Sequence, residues 1–204
     1  MKEHPILFST KMVQAILARK KSMTRRIIKF PKDFTGEKVY DNYPFGLKYT
    51  SSLGGGTIQR LFPKWEVGDV LWVRETFAMS YDTEDHPELK DCPQEKWDTG
   101  YVYKADGKPF YMIDKWKPSI FMPRSACRIL LEITDIKAEL LKSISDEDVI
   151  KEGVRPDLAT GHPEGVFYSA FMSLWDSIHG KGAHELNPWV RCTTFKINEV
   201  KNVS

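Results

Sequence analysis

The chain has 204 residues, of which 41% are hydrophobic, 28% charged and 12% aromatic, with a net charge of +2. That balance supports a buried core and excludes a disordered tail or a fibre. No run approaches the ~20 apolar residues that cross a bilayer, and the start, MKEHPILFSTKMVQAIL, lacks the apolar core and cleavage site of a secretory signal, so a cytoplasmic protein with no membrane partner is expected.

At roughly one domain per 150 residues, the length predicts a single domain over 1–204 with insertions at about 31–63 and 80–100. Cys92, Cys127 and Cys192 are odd in number, far apart and without a Cys-x-x-Cys pair, so reduced thiols are expected. The same spacing argues against a thiolate metal site.

Charge is distributed unevenly. Between His4 and Lys32 stand eight cations (Lys11, Arg19, Lys20, Lys21, Arg25, Arg26, Lys29 and Lys32) and no Asp or Glu. Lys2 and Glu3 cancel, so the rest of the chain from Asp33 onward carries −6 against a total of +2. A scattered basic face is commonly only solvated, but a segment of one sign points to an anionic partner.

In chain order, Met12 or Val13, Ile16 and Leu17 fall at helical spacing behind Ser9 or Thr10, which predicts a first helix from Thr10 to Lys20. The basic run Lys20–Arg26 follows on its exit loop and enters a strand at Ile27 and Ile28. Gly54, Gly55 and Gly56 lack the Gly-Lys-Ser/Thr that completes a phosphate loop. Residues 70–75 (VLWVRE) predict a strand entered through a Gly68-Asp69 turn, and the acid-rich stretch 82–98 reads as a solvated insertion.

Tyr101, Val102 and Tyr103 form a short strand signal, and Trp116 to Pro123 is bracketed by prolines. Cys127, Ile129, Leu131 and Ile133 alternate as one face of a half-buried strand. Ser145, Asp148 and Gly153 bound a short capped helix from about Asp146 to Glu152. Phe167, Phe171, Leu174 and Ile178 predict a longer helix ending at Gly180, and Trp189, Arg191, Thr193, Phe195 and Ile197 a closing strand. This order, without βαβ alternation, predicts an α+β fold with a mostly antiparallel sheet or small barrel. His179 and His184 near Asp176 match no metal spacing, so no metal is expected. The aromatic stripes read most simply as core.

The run 16–26 (ILARKKSMTRR) followed by 68–76 (GDVLWVRET) resembles the ASCH-domain family. The further pieces 117–124 (KPSIFMPR), 145–148 (SDED) with Glu152-Gly153, 174–178 (LWDSI) and 187–190 (NPWV) are similar to the longer ASCH proteins of phages and prophages. The resemblance implies an α+β fold: a PUA-like, mostly antiparallel β-barrel with flanking helices and the two surface insertions.

Small bacterial ASCH enzymes hydrolyse N4-acetylcytidine with a Lys, a Thr and a Glu, and their Lys-x-x-Thr-x-Arg pattern falls here on Lys21, Thr24 and Arg26. The resemblance therefore implies an amidohydrolase without a cofactor. Its catalytic residues would be Lys21, Thr24 and Glu152, with Glu75 as the alternative carboxylate. Thr24 would attack the acetyl carbonyl, Lys21 take its proton, Glu152 protonate the leaving amine and Arg26 orient the base. Trp72 or Tyr103 would stack on the pyrimidine, and Glu75 has a second reading as the partner of an arginine. Phe121 stands where phage-type proteins commonly have His, so no histidine mechanism is carried over. The alternative function is a non-catalytic nucleic-acid-binding module, for RNA before DNA, in which Arg19, Lys20, Arg25 and Lys29 meet phosphates. A structural role in a phage is a third reading.

Overall fold

A computed structural model of the chain describes residues 1–29, 39–40, 48–49, 65–80, 100–107, 113, 115–155 and 165–201. The core of both expected insertions lies outside the described residues. So does Cys92. The chain divides into two compact units, one of residues 1–19, 70–132 and 197–204, the other of residues 20–69 and 133–196.

In the first unit, β1 (Glu3–Leu7) runs parallel to β5 (Val70–Arg74), Glu3 opposite Val70 and Leu7 opposite Arg74. The opening strand has no two-residue alternation strong enough to be read from sequence; its mixed residues are held by the ladder to β5. β5 pairs antiparallel with the start of β8 (Ile129–Leu140), Val70 opposite Glu132. The helix α1 (Thr10–Leu17) stops short of the expected Lys20, because Arg19 adopts a left-handed φ of 55° that ends the turn. Ser9 takes the cap position, yet its hydroxyl does not cap; its carbonyl accepts from Val13 N–H at 3.0 Å. The hairpin of β6 (Phe77–Met79) and β7 (Tyr101–Tyr103) closes over Val70, Met122, Ala126, Cys127 and Leu130.

In the second unit, β2 (Met23–Ile27) lies antiparallel to β9 (Trp189–Val200), with Met23 opposite Thr194 and Ile27 opposite Val190. The short helix α2 (Asp146–Lys151) is capped as expected, Ser145 Oγ accepting from Asp148 N–H at 3.2 Å. The longer helix α3 (Val166–His179) ends at Gly180, whose φ of 108° suits glycine. Its buried side differs from the expected stripe. Phe171, Met172 and Trp175 are buried with Met23, Leu141, Val149, Val190 and Cys192, whereas Leu174 and Ile178 are 36% and 53% exposed. Both positions satisfy a spacing of three or four, and only the packing partner selects between them.

The two remaining strands, β3 (Val39–Tyr40) and β4 (Lys48–Tyr49), form a separate antiparallel pair. The five longer strands share a sheet in the order β1-β5-β8-β9-β2. Among the described strands this sheet is open, with β1 and β2 as edges. The α+β character holds, with one parallel pairing among antiparallel ones. No helix among the described residues is long and apolar enough to cross a membrane.

Candidate active site

Strand alternation on β2 sends Met23 and Arg25 toward α2 and α3, and Thr24 and Arg26 to the opposite face. The C-terminal turn of α2 lies beside the start of this strand, where Ser22 N–H donates to the Lys151 carbonyl at 2.8 Å. That contact brings Glu152, the C-cap of α2, against the basic run.

Lys21 is 3% exposed, and its Nζ donates to Glu152 Oε2 at 2.7 Å and to the Glu152 carbonyl at 2.8 Å. Arg25, 5% exposed, donates to Glu152 Oε1 at 3.2 Å, to Asp148 Oδ2 at 2.8 Å and to Glu139 Oε1 at 2.6 Å. Its guanidinium also stands 5.8 Å from the centroid of the Phe171 ring. Lys137 Nζ closes the group from outside, 2.9 Å from Asp148 Oδ2 and 3.0 Å from Glu139 Oε2.

Burial is the largest influence on Lys21 and pushes its ammonium below the ordinary lysine range. Glu152 opposes that shift, while Arg26 and Arg25 add to it. Asp148 also feels burial most, which raises it, but the hydrogen bonds from Lys137 and Arg25 together leave it below the ordinary carboxylate value.

One expectation changes here. Arg25 does not reach solvent, because three carboxylates on β8 and α2 take its donors, so it is unavailable to a nucleic acid. Glu152, at the C-cap of α2, is 8% exposed. Both its carboxylate oxygens accept from cations, Oε2 from Lys21 and Oε1 from Arg25. Thr24 is 3% exposed on the face away from Arg25, and Arg26 on that same face is exposed. Arg19, Lys20 and Lys29 are exposed.

The first unit holds a separate cluster. Glu75 is 1% exposed and takes Arg128 through both oxygens at 2.9 and 3.1 Å, as its arginine-partner reading anticipated. Arg128 also reaches Asp106 at 2.7 and 2.9 Å. Burial is the largest influence on Glu75 and lifts its carboxyl above the ordinary range against the pull of Arg128. The Arg128 guanidinium lies 4.0 Å from the centroid of Tyr103, so one face of that ring is covered, and Tyr103 Oη donates to the Ala126 carbonyl at 2.7 Å. Trp72 is half-buried between Arg74 and Arg124, at 5.4 and 5.9 Å. Phe121 is 69% exposed.

Arg128, Asp106 and Glu139 carried no sequence signal, since the arginine pairs they make join residues 22 to 114 positions apart. Asp176 accepts from His184 Nδ1 at 2.9 Å and from the Gly182 and His184 amides, a loop closure. No group of three metal-ligating side chains occurs among the described residues.

No family model and no curated protein matches the chain. Among solved structures, the chain is similar to the crystal structure of the ASCH domain from Lactobacillus crispatus JV V101, at 13% identity over 96% of this chain and 79% of that one. The TM-score is 0.39, and a superposition that loose adds nothing to the fold or the site.

Proposed function

We propose that the chain hydrolyses an N-acylated pyrimidine nucleoside such as N4-acetylcytidine at Lys21 and Thr24. The observation that carries this reading is the Lys21 ammonium, buried to 3% exposure and lowered by that burial, three residues before a buried threonine at the start of β2. The resemblance of residues 16–26 to ASCH amidohydrolases supports the same pair.

In this scheme Lys21 Nζ leaves Glu152 and swings to the Thr24 face of β2, where the neutral amine removes the Thr24 hydroxyl proton as Oγ attacks the acyl carbonyl, and the resulting ammonium returns a proton to the departing exocyclic amine. Water then cleaves the threonyl ester to release the acid. Glu152 is a positioning residue in this scheme. It holds Lys21 through two hydrogen bonds, while Arg26, on the Thr24 face, stands over the substrate side.

The test is chromatographic: N4-acetylcytidine incubated with the protein yields cytidine and acetate, and Thr24→Val and Lys21→Met yield neither. Because the base acts unprotonated, kcat/KM rises with pH through the Lys21 ionisation and levels above it, short of the ordinary lysine value near 10.5. Turnover that survives in Thr24→Val, or a rate that falls with pH over that range, contradicts the scheme.

The exposed Arg19, Lys20 and Lys29 favour the second reading, a nucleic-acid-binding module.

A further inference from the structure

The described residues include three arginines that are almost wholly buried, and they differ in what neutralises them. Arg25 has three carboxylates and Arg128 has two. Arg191, 7% exposed, has none acting on it: burial and the Arg26 charge both disfavour its cation, which is lowered to about 10. Its guanidinium lies 4.0 Å from the centroid of the Trp65 ring, a contact that sets the plane of the fork and supplies no hydrogen-bond acceptor in that plane. Among the described residues its Nε has no hydrogen-bond partner.

Directly opposed residues of an antiparallel ladder share a face. Thr24 stands opposite Thr193 and Arg26 opposite Arg191, so the four form a block on the side of β2 and β9 turned away from α2 and α3. Thr193 is 1% exposed, and its Oγ1 also lacks a partner among the described residues. The block thus places two guanidinium groups and two hydroxyls on one face, and two of its buried donors, Arg191 Nε and Thr193 Oγ1, have no partner among the described residues. Burying such groups without acceptors is costly, and an anion that enters between them removes that cost.

We propose that this block binds the phosphate group of a nucleotide. A carboxylate offers two oxygens in one plane. A phosphate offers three or four in a tetrahedron, which suits the Arg191 fork, the exposed Arg26 cation opposite it and the Thr193 hydroxyl two positions along β9. The anion site stands on this geometry alone; that the substrate is consequently a nucleotide and not a free nucleoside rests on the hydrolysis proposed above.

Calorimetry with inorganic phosphate, cytidine 5′-monophosphate and cytidine tests the site on the full chain. Phosphate and the monophosphate bind wild type, and cytidine binds at least tenfold more weakly than the monophosphate. Arg191→Gln and Thr193→Val each weaken the phosphate-bearing probes at least tenfold, while Ile178→Ala, at an exposed position of α3, leaves inorganic phosphate binding unchanged. Thr193→Val removes a hydroxyl without a described partner and keeps the shape, so it retains or raises Tm and guards against a folding artefact. Absence of phosphate binding to wild type, or binding unchanged in Thr193→Val and Arg191→Gln, overturns the proposal. Phosphate binding that the two variants abolish, in a protein that releases no cytidine from N4-acetylcytidine or its 5′-monophosphate, upholds the anion site and refutes only the hydrolysis.

Discussion

Removing the Arg25 guanidinium strips a shared cation from Glu139, Asp148 and Glu152, each with a side chain no more than 16% exposed. Lys137 and Lys21 remain, but each is a single ammonium and cannot span the three carboxylates as the fork does. Breaking a buried network from one side leaves charge without compensation, which costs about 3–5 kcal/mol. Arg25→Met is therefore expected to lower unfolding stability by roughly 3 kcal/mol, since the two lysines retain part of the compensation. Urea denaturation checks this, and a loss under about 1 kcal/mol contradicts the network's role. The basic run thus contains two kinds of cation. Arg25 and Lys21 are spent inside the fold, while Arg19, Lys20 and Lys29 face solvent.

The helices set which carboxylates meet those cations. Helix α2 has only six residues and three acids in its first turn, which suits the positive helix N-terminus. Its last turn delivers Glu152 to the edge strand. Helix α3 buttresses the arrangement through Phe171, which touches Arg25 and belongs to the core of the second unit. The choice of face on α3 separates two substitutions that look alike in sequence. Phe171→Ala opens a cavity and is expected to cost about 3–5 kcal/mol, whereas Ile178→Ala, at an exposed position, changes stability by less than about 0.5 kcal/mol. Thermal unfolding of the pair decides between the observed face and one running through Ile178.

At the scale of the molecule, positive charge is concentrated in the first 32 residues and the remainder is negative. Such a field draws anions from a distance and weakens with salt. If the exposed cations meet a polyanion, single-stranded RNA binding falls as salt rises, and the triple variant Arg19→Ala, Lys20→Ala, Lys29→Ala flattens the slope of log K against log salt by up to about 2 for three lost contacts. Fluorescence anisotropy across a salt series measures this. A slope equal to wild type removes these side chains from the interface.

Local rules made much of the fold legible. The cap and glycine stop of α2, the end of α3 at Gly180 and the alternating strands near residues 70, 130 and 190 depend on spacing within a few residues. The Lys21, Thr24 and Glu152 candidates were nameable too, but their roles were not. Whether a lysine is a solvated charge or a buried one turns on a helix end 131 positions away. The Leu174–Ile178 stripe was expected from period, and the exposed side of α3 differs because helix rotation answers to distant partners. Sequence by itself determined the periodicities, caps and charge asymmetry, all consequences of neighbouring residues. Only the tertiary structure decided which arginines are neutralised and which is not, because desolvation and charge pairing depend on what the fold packs around each group.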